Sequence, residues 1–187
     1  MCFVKRGYTL VELLLSITLI AISVGVTTDI IISITKSYNK TQITNEIEQN
    51  ANFVLLKLEN ELRSAKSVTS VTDTGSTVTL TFVDSLGKNV SYQVTVPQAT
   101  TAGYISRSYD GGSYVIVTNN DSVGGVSVSC LTAGSSSGAS NCFRADITDP
   151  PSRVTLALRF TQAGTAGGAS FSGTVDLNNT IVVRGTY

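Results

Sequence analysis

From Tyr8 to Thr28 the sequence is mostly apolar. As a helix this run rises about 31 Å at 1.5 Å per residue, enough to cross the hydrocarbon core of a bilayer. One carboxylate, Glu12, interrupts it, and Lys5 and Arg6 stand just before it. Between Val26 and Ile30 the pattern weakens to "VTTDI", and Gly25, two threonines and Asp29 are mediocre helix formers, so a flexible spot is expected at Gly25 to Asp29. Helical periodicity then returns. Ile43, Ile47, Ala51, Val54, Leu55, Leu58, Leu62 and Ala65 recur at spacings of three and four, with Glu46, Gln49, Asn50, Lys57, Asn60, Glu61 and Arg63 on the other face. No firm stop signal lies between Tyr8 and about Lys66, which predicts one very long helix with an apolar first part and an amphipathic last part.

After Lys66 the period changes from 3.6 to two. "TVTLTFV" and "VSYQVTV" flank the turn-rich "DSLGKN" and predict a hairpin. "YISRSY" and "SYVIVT" flank "DGG" and predict a second. "GVSVSC", "RVTLALRF", "SFSGTVDL" and "TIVVRGTY" read as further strands, and Asp149-Pro150-Pro151 as a turn. The fold class predicted is α+β, a long N-terminal helix followed by an antiparallel sheet domain.

Composition narrows the chemistry. Charged residues make up only 14% of the 187, below the roughly 25% usual for soluble domains, and the formal net charge is zero. That balance gives no argument for nucleic acid as a partner. There is no histidine, which excludes Ser-His-Asp and Cys-His catalysis and histidine-based metal sites. With no clustered metal ligands and no phosphate loop, the chain is expected to be structural rather than an enzyme, with no cofactor and no metal. Asp84, Asp110, Asp121, Asp146 and Asp149 fall in expected turns, where carboxylates are ordinary, and no calcium loop can be placed among them. Cys130 and Cys142 flank the Gly/Ser-rich "LTAGSSSGASN". They suggest a disulfide in an oxidising compartment, with two free thiols as the alternative.

The opening residues carry more. "KRGYTLVELL" places two basic residues, a glycine, an aromatic residue, an apolar run and a glutamate in order. It resembles the processing signal of type IV prepilins and of the pseudopilins of type II secretion. A long N-terminal helix followed by antiparallel sheet is similar to the pilin architecture. The C-terminal order "GYISRSYDGGSYVIVTNNDSVGGVSV", then "PPSRVTLALRF", then "TVDLNNTIVVRG", looks like the larger subunits, the J-type minor pseudopilin and the W-type minor pilin. The sequence departs from the family's commoner pattern at two places: Tyr8 stands where Phe is usual, and Asp29 lies near the position of a proline near the end of the span.

The resemblance implies that a prepilin peptidase/methyltransferase cuts between Gly7 and Tyr8 and methylates the new amine of Tyr8. Lys5 and Arg6 hold the bond at the cytoplasmic face, and glycine leaves it unhindered. The segments implied are a leader over 1–7, removed; a transmembrane half of the helix over 8–29; an amphipathic half over 30–66; and a β domain over 67–187. The protein would sit as a single-pass inner-membrane protein, N-terminus cytoplasmic and C-terminal domain exported, contacting membrane lipid before joining other pilins or pseudopilins in a hetero-oligomeric filament. In that filament Glu12 would meet the Tyr8 amine of its own or a neighbouring subunit. A carboxylate merely protonated near the interface is the alternative. A DNA-uptake or adhesion module on such a filament is the competing function. For DNA, scattered Arg107, Arg144, Arg153, Arg159 and Arg184 offer only one loose basic–aromatic group, Arg107 with Tyr104, Tyr109 and Tyr114.

Overall fold

In the computed structural model the described residues are 9–98, 101–121, 125–131, 142–148, 151–163 and 173–185. The chain divides into two units, Met1–Asn39 and Lys40–Tyr187, and one helix, α1 (Leu10–Ser64), contributes to both.

In the first unit every described residue from Thr9 to Tyr38 is exposed. α1 passes through Gly25 to Asp29 without a break. The hydroxyls of Ser23, Thr27 and Thr28 donate to the carbonyls of Leu19, Ser23 and Val24, one turn back. Ser16, Thr18 and Thr35 donate in the same way. Each hydroxyl is thereby satisfied inside its own helix, which is how such residues are tolerated away from water.

In the second unit α1 buries Ile47, Ala51, Val54, Leu58 and Leu62, a stripe spaced by four, three, four and four residues. The outer face carries an i, i+4 pair, Arg63 to Glu59 at 2.6 Å. Arg63 also places a cation in the last turn, where the helix dipole favours one. The helix ends as the Ala65 N–H turns back to the Leu62 carbonyl and the Lys66 N–H donates to Val83 at 2.8 Å, which commits the chain to a sheet.

That sheet is an antiparallel meander of β1 (Ser67–Asp73), β2 (Thr77–Val83), β3 (Asn89–Thr95), β4 (Tyr104–Tyr109) and β5 (Val115–Ile116), in sequence order. Val78, Leu80 and Phe82 face inward opposite Val94, Tyr92 and Val90. The β2–β3 turn is held by Asp84, whose Oδ1 accepts the N–H groups of Leu86 and Lys88. The β4–β5 turn needs two left-handed residues, Asp110 (φ 51°) and Gly111 (φ 74°), which suits the expected Asp-Gly signal. The second strand of that hairpin is shorter than expected: Thr118 supplies its hydroxyl to the Ile105 N–H where a further rung would sit.

The second sheet contains β6 (Val126–Cys130), β7 (Phe143–Asp146), β8 (Arg153–Gln162) and β9 (Thr174–Val182). β9 pairs along one side of β8. β6 and β7 share the other side, β6 against Leu158–Gln162 and β7 against Arg153–Leu156. They act as one interrupted strand. At the interruption Ala157 accepts from the Leu131 N–H and donates to the Cys142 carbonyl, each at 2.9 Å. A disulfide joins Cys130 to Cys142 across the gap, with Cα atoms 4.5 Å apart. The strand at 143–146 was not among the expected elements. The expected pair "SFSGTVDL" and "TIVVRGTY" is instead one strand, β9, running through Asn178 and Asn179 opposite Ala157 and Leu156.

The two sheets meet at Gly103, whose carbonyl accepts from Val128 at 2.9 Å and whose N–H donates to the Ser127 hydroxyl at 3.1 Å. One core unites the helix stripe with Leu80, Phe82 and Tyr92 of the first sheet and Leu156, Phe160 and Ile181 of the second.

Candidate assembly segment

The functional residues expected from the sequence gather at the chain's start. Lys5, Arg6, Gly7 and Tyr8 lie outside the described residues, and Glu12 lies within them. α1 begins at Leu10, so Glu12 is its third residue. Thr9 is the residue before the helix. Its hydroxyl accepts the Glu12 N–H at 3.3 Å, and its carbonyl accepts the Leu13 N–H at 3.1 Å. Thr9-Leu10-Val11-Glu12 is therefore the T-x-x-E pattern of a capping box, with Thr9 as the cap. The T-x-x-E spacing ahead of the apolar run is a signal that the sequence itself carries.

This placement changes the energetics of the carboxylate. A charged side chain at the bilayer centre costs about 3 kcal/mol or more. Glu12 lies only about 3 Å of helix rise from the start of α1. It also sits at the positive end of the helix dipole, which favours an anion by about 0.3–1 kcal/mol. The next carboxylate, Asp29, lies about 26 Å further along. An apolar stretch bounded by two carboxylates at that separation comes close to the thickness of a hydrocarbon core. α1 is long and apolar enough to cross a membrane, with mean hydropathy 2.2 over its best window and none of that window buried.

In the second unit the expected basic–aromatic group is already committed. The Arg107 Nε donates to Glu61 on α1 at 3.1 Å, and its guanidinium lies 5.3 Å from the Tyr109 ring centre. The Tyr92 hydroxyl is buried beside this pair without a hydrogen-bond partner among the described residues. Burial first, and then the Glu61 charge, push its pKa upward. Asp84 is also occupied. The Lys88 backbone N–H, together with the Tyr109 hydroxyl and the Leu86 N–H, holds its carboxyl below the usual range. Among the described residues no three acidic, cysteine or histidine side chains come together as metal ligands would.

No curated protein and no solved structure matches the chain. The family described as the prokaryotic N-terminal methylation motif matches residues 3–28, which take in the basic pair, Gly7, Tyr8, the cap and Glu12. That motif is the hallmark of type IV prepilin-like proteins, and the match shows that the N-terminal segment of this chain is similar to theirs.

Proposed function

We propose that the chain is a minor pilin or pseudopilin, cut between Gly7 and Tyr8, methylated on Tyr8 and built into a type IV pilus or a type II secretion pseudopilus. The observation that carries this reading is the coincidence of the methylation motif with a fully exposed apolar helix holding one carboxylate in its first turn. Before assembly the helix spans the inner membrane with the β domain exported. On assembly its apolar surface passes from lipid to neighbouring helices, and Glu12 meets the amine on Tyr8 of the next subunit. The chemistry is packing plus one ion pair in a medium of low dielectric, with no turnover. The subunit's size and C-terminal strand pattern favour priming or capping over bulk growth.

The test must separate the cap from the charge. Glutamine serves at the third helical position of a capping box as glutamate does, but it carries no charge. Glu12→Gln and Glu12→Ala are both expected to be cleaved and inserted, as read by mass spectrometry of the mature N-terminus in the membrane fraction. Both are expected to be missing from sheared filaments. Normal incorporation of Glu12→Gln would refute the ion-pair reading.

A further inference from the structure

The outer face of the second sheet brings together charges that are scattered in the sequence. In β7 and β8 Arg144 lies opposite Thr155 and Asp146 opposite Arg153. In β8 and β9 Thr155 lies opposite Thr180 and Arg153 opposite Val182. Opposed residues share a face, so Arg144, Asp146, Arg153, Thr155 and Thr180 all point outward, as their exposure shows. Beyond Val182 the alternation continues: Val183 is fully buried and its N–H donates to Ser152, and Arg184 is exposed. Arg144, Arg153 and Arg184 thus fall on one diagonal, each a strand over and two residues along from the last. Diagonal neighbours of this kind are about 7–8 Å apart.

Two further facts single this row out. Arg159 on the same face is held by Asp176 through two hydrogen bonds of 2.7 Å, whereas Arg144, Arg153 and Arg184 have no ion-pair partner among the described residues. Arg144, Asp146, Arg153, Thr155 and Thr180 also line a concavity of about 490 Å³. We propose that this row is a docking site for an acidic segment of a partner protein, bound in extended form.

The spacing supports the choice of ligand. Side chains two apart on an extended chain are separated by about 6.8 Å, so alternate carboxylates can meet successive guanidiniums. A phosphodiester backbone would offer comparable spacing. The site, however, sets a carboxylate, Asp146, opposite the central arginine. That group repels phosphate and glutamate alike, but it can accept a peptide N–H, a donor that a phosphodiester backbone does not offer. The residues of this face that line the concavity include no aromatic ring on which bases could stack.

The experiment uses the full chain in detergent and fluorescence polarisation with a labelled peptide of alternating glutamate and serine. Binding is expected to weaken as salt rises. It is expected to fall about tenfold or more in Arg144→Ser/Arg153→Ser, and to be unchanged in Arg159→Ser, whose arginine is already occupied. Equal loss in Arg159→Ser would overturn the proposal in favour of a general surface field. No measurable peptide binding would overturn it outright. Tighter binding of oligothymidylate than of the peptide, lost in the double variant, would replace the partner with a nucleic acid. Glu12→Gln is expected to bind the peptide normally, so this site and the assembly reading stand or fall separately.

Discussion

Removing the link between Cys130 and Cys142 is expected to lower the unfolding temperature of the β domain without dissolving its sheet. The backbone bonds that hold β6 and β7 to β8 do not depend on the sulfurs. What the link changes most is the unfolded chain. Closing a loop between residues separated by 12 positions removes about 3 kcal/mol of unfolded-state entropy at 25 °C on the loop-entropy account. In a domain of this size each kcal/mol shifts Tm by about 2–4 °C, so the loss is expected to be about 6–12 °C. Alanine is the right replacement, because Cys142 is fully buried and a serine hydroxyl there would add a desolvation cost of its own. The assay is thermal unfolding followed by circular dichroism on the full chain in detergent, comparing the oxidised protein, the same protein with a phosphine reductant, and Cys130→Ala/Cys142→Ala. Reduced and substituted proteins are expected to melt together, and reductant to leave the double variant unchanged. A double variant melting within about 2 °C of the oxidised protein would refute the loop-entropy argument.

Two other perturbations probe the rest of the domain. Gly103→Ala would put a Cβ 2.0 Å from the Val128 carbonyl oxygen and 2.8 Å from that of Thr95. Backbone bonds pin both sheets there, so a loss of about 1–3 kcal/mol or more is expected, read by urea unfolding. A variant as stable as the parent would show that the sheets can part at that point. For pH, the Arg159 hydrogen bonds lower the Asp176 pKa, and the Lys88 N–H with its neighbours lowers that of Asp84. Both groups therefore contribute stability that is present above their ordinary value of 3.8 and is lost as pH falls through their lower folded values. The Tm gap between the parent and Asp84→Asn/Asp176→Asn is expected at neutral pH and to close on acidification through that window; a gap independent of pH would count against these carboxylates.

The helix and the first hairpin were legible because their signals are local. The stripe from Ile47 to Leu62 repeats every three or four residues, and Leu80 and Phe82 alternate with polar threonines. β7 was not legible. Four residues, Phe143 to Asp146, are too few to show a period, and the strand exists because β8 offers it an edge that β6 has left vacant. The two expected strands break at Asn178-Asn179, residues of low strand preference. A continuous ladder against β8 overrides that preference. The row of Arg144, Arg153 and Arg184 could not be read from the sequence, because its members lie in three segments and only the registers of β7, β8 and β9 align them.

The cap at Thr9 sharpens why the carboxylate stands at residue 12 and not deeper in the span. A glutamate three residues after the cap belongs to the start of a helix whatever else it does. Its backbone N–H is one of the four that the helix cannot satisfy internally, and Thr9 takes it up. The same position places its charge in the first turn, beside the positive end of the helix dipole and four residues after Tyr8. The amine that the proposed cut would create at Tyr8 would add a second positive charge on that side. Moving the carboxylate one turn inward would leave the Thr9 cap in place, since it uses only the backbone N–H of residue 12, but would forfeit the dipole and take the charge deeper into the apolar run. Residue 12 is thus where a charge gains from the helix dipole and would also lie within reach of the proposed Tyr8 amine, and a difference between glutamine and alanine there measures what the side chain adds to helix initiation without its charge.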